Sequence, residues 1–165
     1  MRRQRGMTLV ELVIAIVIVG IAAAALYTAM ATITSRSADP MLRQQRLAIA
    51  EAYLEEILDA DFLDPTSHTQ CPPPPAARAD FDNVCDYAGL DDAGARGADG
   101  ALIAGLQDYQ VSVAVTPQAF NGLSAAAALQ VVVTVEAPDG QTLTLSGWRT
   151  CYGEYDGAGG YACVP

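Results

Sequence analysis

The sequence predicts an α+β protein in which a long N-terminal helix packs on a small antiparallel sheet of about three strands. Three observations support this fold class. An uncharged apolar run lies near the N terminus, helical periodicity resumes at residue 41, and period-2 alternation begins at residue 109. The four cysteines all follow the apolar run, which predicts that disulfide-closed loops complete the domain.

The N-terminal segment has the length and composition of a membrane span. Three arginines at positions 2, 3 and 5 precede Gly6, and Glu11 lies near the start of the apolar run. The 24 residues at positions 12–35 carry no charge. As a helix they are roughly 36 Å long at ~1.5 Å per residue, whereas a hydrocarbon core is about 30 Å thick. The basic flank is expected to stay cytoplasmic by the positive-inside tendency.

Two other interpretations of this segment are open. A cleaved secretory signal peptide would use the small residues at positions 22–25, but the apolar run is long for one and contains Glu11. A plain membrane anchor leaves Glu11 unexplained, because an acid costs about 2.5–3.5 kcal/mol at the centre of a membrane helix on insertion scales. Some benefit from this acid is therefore expected.

The residues Gly6-Met7-Thr8-Leu9-Val10-Glu11 resemble the processing site of type IV pilins and pseudopilins. In that family a prepilin peptidase cuts after the glycine and methylates the new N terminus, and glutamate is the fifth mature residue. The resemblance implies a leader at residues 1–6, a transmembrane and polymerisation helix at 7–36, and a periplasmic pilin-like head at 37–165. Met7 stands where phenylalanine is usual, but it is similarly apolar, so processing is expected.

Glu11 has a physical role in this interpretation. Cleavage would create an α-ammonium at Met7, and packing of subunits into a filament would bury it. A buried charge needs a partner. Glu11 of a neighbouring subunit can supply that partner and set the axial register between subunits.

Charge and composition exclude several function classes. The chain has nine arginines, no lysine and 19 acids, for a formal charge of −10, which becomes −13 without the three leader arginines. Such acidity disfavours nucleic acid as a partner. His68, the one histidine, lies in a loop rich in proline, threonine and serine. No catalytic residues, no enzyme activity and no cofactor are therefore predicted.

The segment from residue 37 to residue 60 predicts an amphipathic helix. Pro40 either interrupts one long helix or follows an Asp39 N-cap as the first residue of a second helix. The expected apolar face, bordered by Tyr53, consists of Leu47, Ala50, Leu54, Ile57 and Leu58. Residues 36–58 also resemble minor pilins associated with the mannose-sensitive haemagglutinin (MSHA) pilus.

Residues 62–105 show no clear periodicity. Asp80, Asp82 and Asp86 are weak candidates for a calcium site, because calcium prefers oxygen ligands. The spacing does not match an EF-hand loop, and turn formation by Asp and Asn explains these acids more simply.

The remaining chain predicts three strands. Apolar residues alternate with mostly polar ones from Tyr109 to Val115 and from Leu129 to Val135, and the pattern continues at Leu143 and Leu145. Turns are predicted at residues 121–122 and 138–140. The sheet is expected to cover the apolar face of the second half of the helix.

Four cysteines, Cys71, Cys85, Cys151 and Cys163, predict two disulfides with three possible connectivities. The preferred pairs are Cys71–Cys85 and Cys151–Cys163, since each closes a loop rich in proline or glycine. The latter loop also resembles the C-terminal disulfide loop of many type IV pilins. A zinc site is not predicted, because the sequence has no CxxC motif and a single histidine.

The resemblance as a whole implies a minor pilin, processed by prepilin peptidase and incorporated into, or initiating, a type IV pilus. Implied partners are other pilin subunits, the pilus assembly platform and the inner membrane. The protein would cross that membrane once and reach the pilus or cell surface after assembly. The alternatives are a type II secretion pseudopilin and a membrane-anchored periplasmic binding module.

Overall fold

The computed structural model describes residues 8–155, 158 and 160, apart from the side chains of residues 31–39. The described elements are one long helix, four strands and two short 3₁₀ turns. The chain divides into two compact units, Met1–Arg43 and Gln44–Pro165. The second unit is called the head below.

Helix α1 runs from Leu9 to Asp59 and contains Pro40 in its interior. Because the helix is continuous through this proline, the alternative in which a second helix begins after Asp39 is wrong. Within the first unit, the described residues from Leu9 to Met30 form an apolar stretch of helix.

The C-terminal part of α1, from residue 44 onwards, belongs to the head and buries one face there. Ile49, Ala50, Tyr53 and Ile57 are buried on that face, and Arg46 is also buried. The prediction that Leu47 belongs to the buried face is wrong, since this residue is 38% exposed. The buried face is therefore rotated from the predicted one. Inside the head, the Tyr53 hydroxyl donates to Asp92 at 2.9 Å and Arg46 pairs with Asp139 at 3.5 Å.

The sheet has four antiparallel strands in the order β1-β2-β3-β4. They are β1 (Asp91–Ala93), β2 (Gln110–Pro117), β3 (Ala128–Glu136) and β4 (Thr142–Thr150). The three predicted strands are confirmed, and β1 is an additional short strand that pairs Asp92 with Val111. Sequence did not predict β1 because three residues without an apolar alternation give no strand signal.

One face of the sheet is apolar and forms the core of the head with α1. On this face, six side chains of β2 and β3 are at most 4% exposed, and these are Val111, Val113, Leu129, Val131, Val133 and Val135. On β4, a Cβ atom placed on Gly147 would lie 2.8 Å from Leu58 Cδ1 and 3.2 Å from Leu54 Cδ1. The absent side chain of Gly147 therefore lets α1 and β4 approach each other closely.

Between α1 and β1 the chain makes two 3₁₀ turns, Arg78–Asp80 and Val84–Tyr87. A disulfide joins Cys71 to Cys85 and closes the loop that contains Arg78. Asn83 caps the second turn in a capping box with Asp86. This segment thus obtains its order from a covalent link and local caps.

Candidate functional site

Helix α1 begins at a polar cap formed by Thr8 and the backbone of Glu11. The Glu11 N–H donates to Thr8 Oγ1 at 3.3 Å, and the Leu12 N–H donates to the Thr8 carbonyl at 3.2 Å. Thr8 is therefore an N-cap, and Glu11 occupies the first helical turn, where a carboxylate complements the helix dipole. The Glu11 side chain is exposed in the single chain.

The 22 residues from Leu9 to Met30 are apolar enough and long enough to cross a membrane. They extend roughly 33 Å at ~1.5 Å per residue. All of them are exposed, including eleven large side chains between Leu9 and Leu26. An apolar surface of this size needs lipid or other protein around it. The predicted cleavage and methylation residues, Gly6 and Met7, lie outside the described residues.

The head contains a largely buried cluster of ionic and aromatic side chains around Arg78, with Arg96 at its exposed edge. We call it the Arg78 cluster, and its members are Tyr53, Glu56, Arg78, Tyr87, Asp92 and Arg96. Arg78 Nη1 donates to Asp92 Oδ2 at 2.6 Å, and Arg78 Nη2 lies 3.1 Å and 3.2 Å from the two oxygens of Glu56. The Arg78 side chain is only 8% exposed, so these ion pairs are largely shielded from water.

Two tyrosines complete this arrangement. The Tyr53 hydroxyl donates to Asp92 Oδ2 at 2.9 Å and accepts the Arg96 N–H at 2.8 Å. The Tyr87 hydroxyl donates to Glu56 Oε1 at 2.9 Å. The guanidinium carbon of Arg78 lies 4.7 Å from the centroid of the Tyr53 ring, a cation–π distance.

The cluster joins three parts of the head that are far apart in sequence. Glu56 is on α1, Arg78 is in the disulfide-closed loop and Asp92 is on β1. Two arginines balance two carboxylates, so the buried charge is close to neutral. This cluster was not predicted from the sequence, although one signal was available: only four arginines lie beyond residue 43, against 17 acids. The cluster can hold these three parts of the head together. Its two carboxylates already accept hydrogen bonds from other side chains of the head.

Burial of the two tyrosines predicts that the stability of the head falls at alkaline pH. Burial and the hydrogen bond to Glu56 raise the pKa of Tyr87, and burial raises the pKa of Tyr53. A phenol whose pKa is higher in the folded state stabilises that state fully below the unfolded pKa of about 10. This stabilisation is lost as pH rises through the folded pKa.

We therefore expect Tyr87→Phe to reduce the loss of stability between about pH 8 and pH 11, because phenylalanine cannot ionise. At about pH 8 the variant should be about 1 kcal/mol less stable, since the hydrogen bond to Glu56 is missing. Urea unfolding of the full chain in detergent, followed by fluorescence of the single tryptophan, measures both effects. An unchanged alkaline loss in Tyr87→Phe would contradict this assignment.

A cleft of about 390 Å³ lies between the end of α1 and the chain that follows β4. Asp61, Asp64 and Glu154 line it together with Arg149. Burial, and then the charge of Glu154, raises the pKa of Asp61. Glu154 Oε1 accepts from the Phe62 N–H at 3.0 Å and from Arg149 Nη2 at 2.8 Å. Through these hydrogen bonds, Glu154 connects the chain that follows β4 to the residues that follow α1.

The structure gives the calcium candidates local roles. Asp86 Oδ2 accepts the backbone N–H groups of Asp82 and Asn83 at 3.0 Å and 3.2 Å, which is the capping arrangement. Asp80 is exposed in the first 3₁₀ turn. Within residues 8–155, 158 and 160, no group of three or more His, Cys, Asp or Glu side chains could hold a metal ion.

The structure describes three of the four cysteines. Cys71 and Cys85 form a disulfide, and Cys151, the residue after β4, is buried. Cys163, the predicted partner of Cys151, lies outside the described residues. The second pairing therefore stays a prediction.

Comparison with known proteins identifies the N-terminal segment. Residues 1–27 match the family model of the prokaryotic N-terminal methylation motif. The motif is one that type IV pilin-like proteins carry, and the long apolar helix followed by an antiparallel sheet is a pilin-like α+β architecture. No curated protein and no solved structure matches the chain.

The motif supports a prepilin of the pilin or pseudopilin type. It implies processing by a prepilin peptidase and contact with other pilin subunits. The family that carries it is structural rather than catalytic. The apolar stretch of α1 fits membrane anchoring of such a protein.

Proposed function

We propose that this protein is a minor pilin, a structural and assembly subunit of a type IV pilus. Prepilin peptidase cuts the chain after Gly6 and methylates Met7, and the apolar part of α1 anchors the subunit in the inner membrane. The leader is cytoplasmic and the head is periplasmic until an assembly platform moves the subunit into the filament. The observation that carries the proposal is the methylation motif at residues 1–27, which continues into an exposed apolar helix.

The proposal assigns a specific chemical role to the Glu11 side chain. Its carboxylate is exposed in the first turn of the helix, in an otherwise uncharged apolar surface that needs surrounding lipid or protein. The α-ammonium created at Met7 would be four residues away in the same chain, and an equivalent ammonium would be presented by a neighbouring subunit. Pairing between subunits satisfies both charges, and it fixes register more than it adds stability. The finer assignment to an MSHA-type system is supported by the resemblance of residues 36–58.

Mass spectrometry of the N-terminal peptide, from protein isolated from membranes, tests the processing step. We expect a chain that begins at N-methylated Met7. The same chain expressed without a prepilin peptidase is the control and should begin at Met1. A Met1 start in the presence of the peptidase would overturn the proposal and favour a membrane-anchored binding module. A start near Ala25 would instead identify a secreted protein.

A further inference from the structure

A tight turn at Asn121 and Gly122 lies on the surface between β2 and β3. Both residues are exposed, and their φ angles are 47° and 87°. Two backbone hydrogen bonds between Phe120 and Leu123, of 3.1 Å and 2.8 Å, close the turn. Among the residues that the structure describes, no hydrogen bond involves the side-chain amide of Asn121 or the N–H of Gly122. The turn therefore holds an unrestrained side-chain amide next to an unrestrained backbone nitrogen.

The chain has one other asparagine, and its environment is the opposite. Asn83 is fully buried in the head. Its Oδ1 accepts the Cys85 N–H at 3.0 Å, and its Nδ2 donates to Asp82 Oδ1 at 3.3 Å. These bonds fix both ends of the Asn83 amide, so it is free to react only when the head unfolds.

We propose that Asn121 is a site of spontaneous covalent modification, at which the side-chain amide becomes a carboxylate while the head is folded. The Gly122 nitrogen attacks Cγ of Asn121, so that a new bond joins these two atoms. The bond from Cγ to the amide nitrogen breaks, and ammonia leaves with the proton that the Gly122 nitrogen gives up. The product of this step is a five-membered succinimide ring.

Water then opens the ring. Attack at Cγ gives aspartate with the normal main chain, whereas attack at the backbone carbonyl carbon of residue 121 gives isoaspartate. Over both steps one water is consumed and one ammonia is released. The inference is independent of the pilin function proposed above, since it needs only the folded head.

The local structure permits this reaction at Asn121. A Cβ atom built on Gly122 would meet no atom within 4 Å, so the space around the attacking nitrogen is open. Ring closure rotates the Asn121 backbone out of its left-handed conformation, and the turn must open briefly for this rotation. Exposed turns with few buried contacts open at a small free-energy cost.

The isoaspartate product would disturb the aromatic pair beside the turn. The rings of Phe120 and Trp148 stack with centroids 4.3 Å apart and planes 19° apart. In isoaspartate the main chain runs through Cβ and Cγ and is longer, so the two hydrogen bonds between Phe120 and Leu123 are no longer both possible. Phe120 then loses its position over Trp148. Aspartate tolerates the left-handed conformation, so that product adds a negative charge and keeps the stack.

Mass spectrometry of the aged full chain tests the modification. The chain is incubated in detergent at mildly alkaline pH and digested with pepsin at acidic pH, and the conversion at each asparagine is compared with that of the same chain in concentrated urea. Folding should slow the conversion of Asn121 by no more than about tenfold, because only the turn must open. It should slow the conversion of Asn83 by at least about a hundredfold, because the head must unfold.

Each asparagine is compared with itself, which removes the effect of the following residue on the rate. Slowing of Asn121 by more than about tenfold, or equal slowing of Asn121 and Asn83, would overturn the inference.

Trp148, the single tryptophan, gives an independent readout. Its fluorescence should change as the wild-type chain ages, in proportion to the isoaspartate detected with an isoaspartyl methyltransferase. Asn121→Asp should have the emission of the fresh wild type, because its main chain is normal. Asn121→Gln should not change with age, because the glutamine would have to close a larger ring. An equal change in aged Asn121→Gln, or constant emission in a wild-type chain that contains isoaspartate, would overturn the inferred effect on the aromatic pair.

Discussion

Replacement of Arg78 by leucine is expected to destabilise the head by about 3–5 kcal/mol, because it leaves the shielded carboxylate of Glu56 without a cation and leaves Asp92 with only the longer contact to Arg96. Glu56 and Asp92 have side chains that are 19% and 10% exposed, so water can only partly replace the guanidinium. The loss would be large beside a total stability of about 5–15 kcal/mol for a typical domain. The expected effect is therefore comparable to that of removing a large apolar side chain from the core.

Arg96→Leu is the matched control, since Arg96 pairs with the same Asp92 at 3.5 Å but its side chain is 37% exposed. An exposed pair is worth about 0–1 kcal/mol. Arg78→Lys should give an intermediate loss, because one ammonium cannot reproduce the planar fork that spans Glu56 and Asp92. Urea unfolding of the full chain in detergent, followed by Trp148 fluorescence, gives all three values. A loss for Arg78→Leu no larger than that for Arg96→Leu would refute the structural role of the cluster.

Glu11→Gln is expected to block incorporation into filaments while leaving N-terminal processing intact. The glutamine removes the negative charge but keeps the size of the side chain, so the α-ammonium of a neighbouring subunit would be buried without a counter-charge. Breaking a buried pair in this way costs about 3–5 kcal/mol. Since 1.4 kcal/mol is a factor of ten, the fraction of chain recovered with sheared filaments should fall more than about a hundredfold.

Glu51→Gln is the control for this experiment, because it makes the same chemical change at an exposed head position. It should enter filaments at the wild-type level. Quantitative immunoblotting of sheared filaments and membranes measures the distribution, and mass spectrometry verifies the Met7 start in both variants. Recovery of Glu11→Gln in filaments at the wild-type level would contradict the proposal that this carboxylate pairs with the N terminus of a neighbouring subunit.

Local patterns in the sequence were sufficient to predict the apolar stretch of α1 and most of the sheet. A membrane environment can be predicted for residues 12–35 from this segment alone, because its length and its lack of charge do not depend on other parts of the chain. The alternation in β2, β3 and β4 similarly predicts which side chains face the core. The motif around Gly6 and Glu11 was recognisable because its residues are adjacent in sequence.

The tertiary structure decided features that depend on distant partners. Strand β1 pairs with β2 although its sequence lacks alternation, and Asp92 on β1 contacts Arg78 from the disulfide-closed loop. The face of α1 that is buried includes Tyr53 rather than Leu47, because the Tyr53 hydroxyl finds Asp92 and the Arg96 backbone across the core. Hydrophobic periodicity predicts only which side of a helix or strand is buried. It does not identify the distant residues that contact that side. Pairing of Arg78 with Glu56, 22 residues earlier, and with Asp92, 14 residues later, arises only once the chain has folded.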